Sequence, residues 1–245
     1  MIEGRNPVLE ALRAGRPVNK VLIAHGAGQS MPILEIVHRA REAKVVVERV
    51  DRRVIERLSP GGRSQNVLAI AAAKEYADLR ALLRQIERRG EAPLLMVLDG
   101  IEDPQNLGAI IRSADAAGMH GVVIPARRAV GLTAAVARAS AGAVEYVPVA
   151  RVGNLAQSLD RLAEASIWTV GIDPAGSKDF TAVDYRQPTA IVIGAEGRGL
   201  SRLVKERCDT LASIPMKGSL GSLNASVAAA LVMFEAMRQR DREQG

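Results

Sequence analysis

The chain has 245 residues, of which 48% are hydrophobic and 24% charged, enough for a small domain joined to a medium one and unlike a disordered or fibrous composition. A single cysteine, Cys208, excludes an internal disulfide, and the three histidines, His25, His38 and His120, lack metal-ligand spacing, so neither disulfide nor metal is expected. No apolar run approaches the roughly 18 residues that span a bilayer and no signal-like pattern leads the chain, so a cytoplasmic location is expected.

The first 73 residues read as alternating helix and strand, a compact α/β sandwich. Asn6-Pro7 predicts a helix start, with Val8, Leu9 and Leu12 at helical spacing and Gly15 as its stop. Val21–Ile23 predicts a strand, Ser30 a cap for a helix carrying Ile33, Leu34, Ile36 and Val37, and Val45–Val47 and Val67–Ile70 two more strands. Alanine and charge dominate from Ala71 to Pro93, which reads as a helical linker. Domains are therefore expected over 1–75 and 93–245, with a linker over 76–92.

Beyond the linker the predicted order is strand Leu94–Leu98, helix Leu107–Ala117, strand Val122–Ile124, helix Ala134–Ala139 and helix Leu155–Ala165. Strands Ile167–Val170, Ala190–Ile193 and Leu211–Ile214 follow, then a last helix from about Leu223 to Arg240. Continuous apolar strands alternating with helices indicate a parallel sheet covered on both faces. Such sheets bind ligands at the carboxyl ends of their strands, which directs attention to the loops after Leu98, Ile193 and Ile214.

The net charge of +6 is unevenly placed. Residues 1–93 hold 17 Lys and Arg against 11 Asp and Glu, and residues 94–245 hold 16 of each. A basic N-terminal segment attracts polyanions by counterion release, and nucleic acid is the leading partner, although such a surplus also occurs on ordinary soluble surfaces. Aromatic residues make up only 2%, so base stacking contributes little to any RNA contact.

The first loop runs from Asp99 through Asn106 to Arg112 and Asp115. Asn106 suits an N-cap; Arg112, flanked by Ile110, Ile111 and Ala114, needs a partner, by spacing alone Asp115 or Asp103. The second, Gly194-Ala-Glu196-Gly197-Arg198-Gly199-Leu200-Ser201, lets the backbone approach a ligand closely. It is no Walker loop, lacking Gly-Lys-Ser/Thr, and a poor dinucleotide fingerprint, since Glu196 would repel a pyrophosphate; a plain strand-to-helix turn fits equally well. The third, from Ile214 through Met216, Lys217, Gly218, Ser222, Leu223 and Asn224, precedes a helix apolar nearly all round, which must be covered by its own domain or by a second subunit. Ser222 and Asn224 also suit simple capping.

Taken together and in this order, the three loops resemble the signature motifs of the SpoU (TrmH-like) branch of the SPOUT RNA 2'-O-methyltransferases, over Leu94–Arg240. The segments Gly4–Leu12 and Arg127–Thr133 make the chain look like the bacterial enzymes that methylate a guanosine ribose in 23S rRNA. The resemblance implies a C-terminal α/β domain with a deep trefoil knot, an N-terminal RNA-binding domain similar to ribosomal protein L30e, a homodimer, and S-adenosylmethionine held by main-chain groups at Gly194, Ile214 and Leu223, with Gly199 and Met216 as neighbours. It implies that Arg112 contacts and activates the 2'-hydroxyl. Asn106 would position Arg112 and the ribose, Glu196 would orient these groups, and Ser222 and Asn224 would shape the site. One departure bears on the RNA substrate: family members commonly carry His-Gln-Gly where this chain has Ser64-Gln65-Asn66. A tRNA methylase of the same family and a non-catalytic RNA-binding or ribosome-assembly protein are the competing readings.

Overall fold

The computed structural model describes residues 1–28, 30–59, 64–219 and 221–241. The chain forms two compact units, one of Met1–Glu75 with Gly131–Tyr146, the other of Tyr76–Val130 with Val147–Gly245.

In the first unit β1 (Ile2–Glu3), β2 (Val18–Ala24), β3 (Val46–Val50) and β4 (Val67–Ala71) form a four-stranded sheet of order β1-β4-β2-β3. Strand β2 runs parallel to β3 and antiparallel to β4. Helices α1 (Arg5–Arg13), α2 (Met31–Glu42) and α3 (Arg52–Leu58) supply Val8, Leu12, Ile33, Ile36 and Ile55 to a core with Val21, Ile23 and Leu68. Helix α3, absent from the sequence expectation, is capped by Asp51, whose carboxylate accepts from the Arg53 N–H. Two expected caps differ. Gly4 rather than Asn6 precedes α1, because φ +100° there is open to glycine. Ser30 does precede α2, yet its hydroxyl accepts from Arg5 (3.3 Å) and makes no cap bond.

Gln65 and Asn66 have φ of +50° and +63°. Asparagine is among the few residues tolerated in the left-handed region, so Asn66 suits the turn it holds. The Gln65 side-chain and main-chain oxygens accept from the Arg5 N–H and Nε, each at 3.2 Å.

Sequence spacing assigned all of 93–245 to one domain, whereas Gly131–Tyr146, with α6 (Ala134–Ala139), packs with the N-terminal residues. The reason is ionic as well as apolar. Buried Glu145 accepts from Arg16 (2.5 Å) and Lys74 (3.2 Å), Arg138 pairs with Glu3, and the Tyr146 hydroxyl donates to Glu10 (2.5 Å).

In the second unit seven parallel strands take the order β7-β6-β5-β10-β8-β11-β9. They are β5 (Leu94–Asp99), β6 (Gly121–Pro125), β7 (Val149–Val152), β8 (Trp168–Ile172), β9 (Lys178–Asp179), β10 (Thr189–Gly194) and β11 (Thr210–Ser213). Every residue of β10 and all but the last of β5 are buried, as a sheet covered on both faces requires. Leu95, Val97, Ala190 and Val192 meet α4 (Leu79–Arg88), α7 (Leu155–Glu164) and α8 (Arg202–Arg207) in one core. The intervening Met96, Leu98, Ile191 and Ile193 point to the opposite face. Helix α9 (Ala225–Asp241) packs there against β10 and against α5 (Pro104–Ala116).

Helix α9 buries Ala225, Ala229, Val232, Met233 and Ala236. Its own unit leaves Val227, Leu231 and Phe234, at i, i+4 and i+7, 47%, 42% and 43% exposed. The expected full burial is thus not reached within the chain. Among the described residues no helix is long and apolar enough to cross a membrane.

Candidate active site

The strand register brings the chemistry-bearing loops together. Gly194 at the end of β10 lies opposite Asp99 at the end of β5, and Ile193 opposite Ile172 at the end of β8. The carboxyl ends of β5, β10, β8 and β11 therefore share one edge, where parallel sheets bind ligands.

The turn after β10 is closed by two main-chain bonds between Ala195 and Gly199, of 3.1 and 2.8 Å. A Cβ on Gly194 would lie 2.1 Å from the Gly199 carbonyl carbon and 2.4 Å from the Leu200 nitrogen, so only glycine allows this approach. Gly199 has φ +65°. Asp99 fastens the far side of the turn by accepting from the Ser201 N–H at 2.6 Å.

A cavity of about 390 Å³ opens at this edge. Its walls include Gly194, Glu196, Gly199, Ile214, Met216, Ser222 and Leu223. Asp173, which sequence reasoning passed over, also lines it and is only 8% exposed. Its Oδ1 accepts from Lys205 Nζ at 2.8 Å and from the Ala175 N–H at 2.9 Å. Burial pushes this carboxyl up, but the two bonds and the ammonium charge outweigh it and hold the group below the ordinary carboxylate range. The available signal was a carboxylate directly after an apolar strand, in Ile172-Asp173-Pro174.

Asn224 is the junction beside the cavity. Its Oδ1 accepts from the Ser226 N–H (2.9 Å) and hydroxyl (2.6 Å), capping α9. Its Nδ2 donates to Asn106 Oδ1 (2.9 Å) and Glu196 Oε2 (3.2 Å), linking α5, the glycine turn and α9. Asn106 is not the cap of α5: the helix begins at Pro104, and Asp103 caps it by accepting from the Gln105 and Asn106 N–H groups. The polar first turn hides this start from apolar periodicity and leaves the Asn106 side chain available to Asn224.

Arg112 stands apart from this cluster. It is exposed, does not line the cavity, and forms no hydrogen bond or ion pair among the described residues. The pairing with Asp115 or Asp103 expected from spacing is not made. Six residues on from Asn106, it lies about 120° around the helix and roughly 9 Å along it.

The family model for the SpoU rRNA Methylase family matches residues 93–234, and a model described as RNA 2'-O ribose methyltransferase substrate binding matches residues 1–77. The chain belongs to the SpoU family. It is an RNA methyltransferase of the TrmH/SpoU type. The TrmH family protein YacO of Bacillus subtilis is 46% identical over 97% of this chain and 95% of its own length. Among solved structures, the SpoU methyltransferase AviRb from Streptomyces viridochromogenes in complex with the cofactor AdoMet covers 100% of this chain and 90% of its own, with 30% identity and a TM-score of 0.81. The AdoMet-bound rRNA methyltransferase from Sinorhizobium meliloti covers 96% of this SpoU chain and 85% of its own, at 28% identity and a TM-score of 0.77.

Proposed function

We propose that this protein transfers the methyl group of S-adenosylmethionine to the 2'-hydroxyl of a guanosine in 23S ribosomal RNA, as a cytoplasmic homodimer acting on the RNA or on an assembling large subunit. The observation that carries the chemistry is the Asn106–Asn224–Glu196 chain of hydrogen bonds beside the cavity. Such a chain fixes polar groups at a reacting centre before substrate arrives, which is how positioning lowers a barrier.

The residues present fit the methyl donor. Apolar Ile214, Met216 and Leu223 suit its adenine, Gly194 and Gly199 allow close main-chain approach, and the Asp173 oxygen not engaged by Lys205 or Ala175 is open to a donor group. When bound, S-adenosylmethionine supplies an electrophilic methyl on a sulfonium. Ser222 shapes the wall beside it.

The described cavity lining contains no Lys or Arg. A cation that steadies the developing alkoxide of the ribose must therefore come from outside it, and exposed Arg112 is the residue proposed for that task. Its planar fork can grip a ribose oxygen and a neighbouring phosphate together. Val227, Leu231 and Phe234 on α9 support the homodimer, since an apolar stripe at helical spacing is what a second copy would cover. The basic surplus of residues 1–93 and the substrate-binding model over 1–77 support an RNA substrate; the choice of 23S ribosomal RNA rests on the resemblance of Gly4–Leu12 and Arg127–Thr133, and a tRNA ribose is the alternative.

The test is incubation of the protein and labelled donor with 23S ribosomal RNA and, separately, with tRNA, followed by mapping of the methylated nucleotide. Ribose methylation of a guanosine in 23S ribosomal RNA is expected. Label confined to tRNA, or found on a base, would overturn the assignment. Light scattering at micromolar concentration should give a dimer mass.

A further inference from the structure

The carboxylate of Asp173 is half used. Oδ1 takes both bonds the protein offers, from Lys205 Nζ at 2.8 Å and the Ala175 N–H at 2.9 Å, while Oδ2 has no partner among the described residues. The residue is more than nine-tenths buried, and its remaining exposure faces the cavity that it lines. A Cβ built on Gly199 would stand 3.7 Å from Oδ2, so the oxygen looks across the cavity floor toward the glycine turn. Oδ2 is thus a carboxylate oxygen that no described residue engages and that the cavity reaches, an acceptor a ligand in the cavity can use.

The choice of donor group follows from charge. S-adenosylmethionine offers a cationic α-ammonium, an adenine amine and two ribose hydroxyls. Lys205 already neutralises Asp173 and would repel a second ammonium brought to the same carboxylate. The flat adenine requires apolar walls, which Ile214, Met216 and Leu223 provide elsewhere in the cavity. A neutral hydroxyl meets no such objection.

We infer that Asp173 is a donor-recognition residue whose Oδ2 accepts a hydrogen bond from a ribose hydroxyl of the methyl donor. This rests on the proposed reading of the cavity as the S-adenosylmethionine site. Lys205 and the Ala175 N–H then act as positioning groups, holding the carboxylate in the rotamer that presents Oδ2.

Calorimetry on the full-length protein provides the test, with S-adenosylmethionine and its 2'-deoxy and 3'-deoxy ribose analogues as ligands. The wild type should bind one of the deoxy analogues about tenfold or more weakly than the natural donor, as expected for a bond to a charged acceptor. In Asp173→Ala the natural donor should weaken by a similar factor, and its preference over that analogue should fall to within about threefold. An undiminished preference in Asp173→Ala, or wild-type affinity for the natural donor, would overturn the inference. Asp173→Asn guards against a folding defect: two donors oblige its amide oxygen to keep the Oδ1 position, turning an NH₂ toward the cavity, so the charged acceptor is gone, the ribose hydroxyl can only accept a weaker neutral bond, and the preference should shrink. Failure of the wild type to bind S-adenosylmethionine at all would overturn both this inference and the cavity assignment beneath it.

Discussion

Asn224 joins a structural task to a catalytic one, and two substitutions separate them. In Asn224→Ala, α9 loses its cap bonds from Ser226 and the link to Asn106 and Glu196 disappears. Loss of an N-cap costs about 1 to 2 kcal/mol, which for a chain of this size is roughly 2 to 8 °C of melting temperature. In Asn224→Asp a carboxylate still accepts from Ser226 and sits well at a helix N-terminus, so the cap survives. It cannot donate to Asn106 Oδ1, and it places a like charge beside Glu196, which is exposed and can swing away at little cost to stability. Asn224→Asp should therefore melt near the wild type while single-turnover methylation falls at least about tenfold, each tenfold being about 1.4 kcal/mol of barrier. Differential scanning fluorimetry and a rapid-quench methylation assay measure the two quantities. Wild-type turnover in Asn224→Asp would refute the role of the Asn106–Asn224–Glu196 chain, and a melting temperature as low as that of Asn224→Ala would refute the cap argument.

Arg112→Ala should melt like the wild type, because no bond or ion pair among the described residues is lost. Its turnover should fall about a hundredfold with donor affinity unchanged, and lysine should not restore it; near-normal turnover would remove Arg112 from the reaction. Gly194→Ala drives a Cβ into the Gly199 and Leu200 backbone, so calorimetry should find donor binding lost or weakened more than about tenfold in whatever protein remains folded. Cys208 is predicted to stay inert: burial, with the nearby carboxylates Asp209, Asp99 and Asp173 adding to it, pushes its thiol up to about 12, so the thiolate is scarce at neutral pH. Native protein should react with iodoacetamide far more slowly than denatured protein, and equal rates would contradict the burial.

The central strands and the three loops were legible because their signals are local. β5 and β10 read as continuous apolar runs since both of their faces are covered. The glycines after β10 announced a tight turn because turn geometry and residue type are directly coupled. What escaped was either short or long-range. Strand β7 spans four residues, and β1 and β9 two each, too few to display a period. Helix α8 is six residues long and mostly charged. Asp173 looks like any polar residue at a strand end until Lys205, thirty-two positions later, is folded against it. Asn106 was identified as a candidate although its expected capping role was mistaken, since a cap and a link to a distant side chain use the same residue type.

The segment Gly131–Tyr146 bears on how such proteins diversify. It falls inside the stretch matched by the methylase model, yet it is bonded to Glu3, Glu10, Arg16 and Lys74 of the N-terminal stretch. A recombination event that swaps residues 1–77 for a relative's module therefore also exchanges half of these pairs. A mismatched module would leave Glu145, buried as it is, facing groups it did not evolve beside, and an uncompensated buried carboxylate costs several kcal/mol. Inheritance of the two stretches is thereby coupled, and chimaeras should tolerate exchange only when Arg138, Glu145 and Tyr146 travel with the partners they hold.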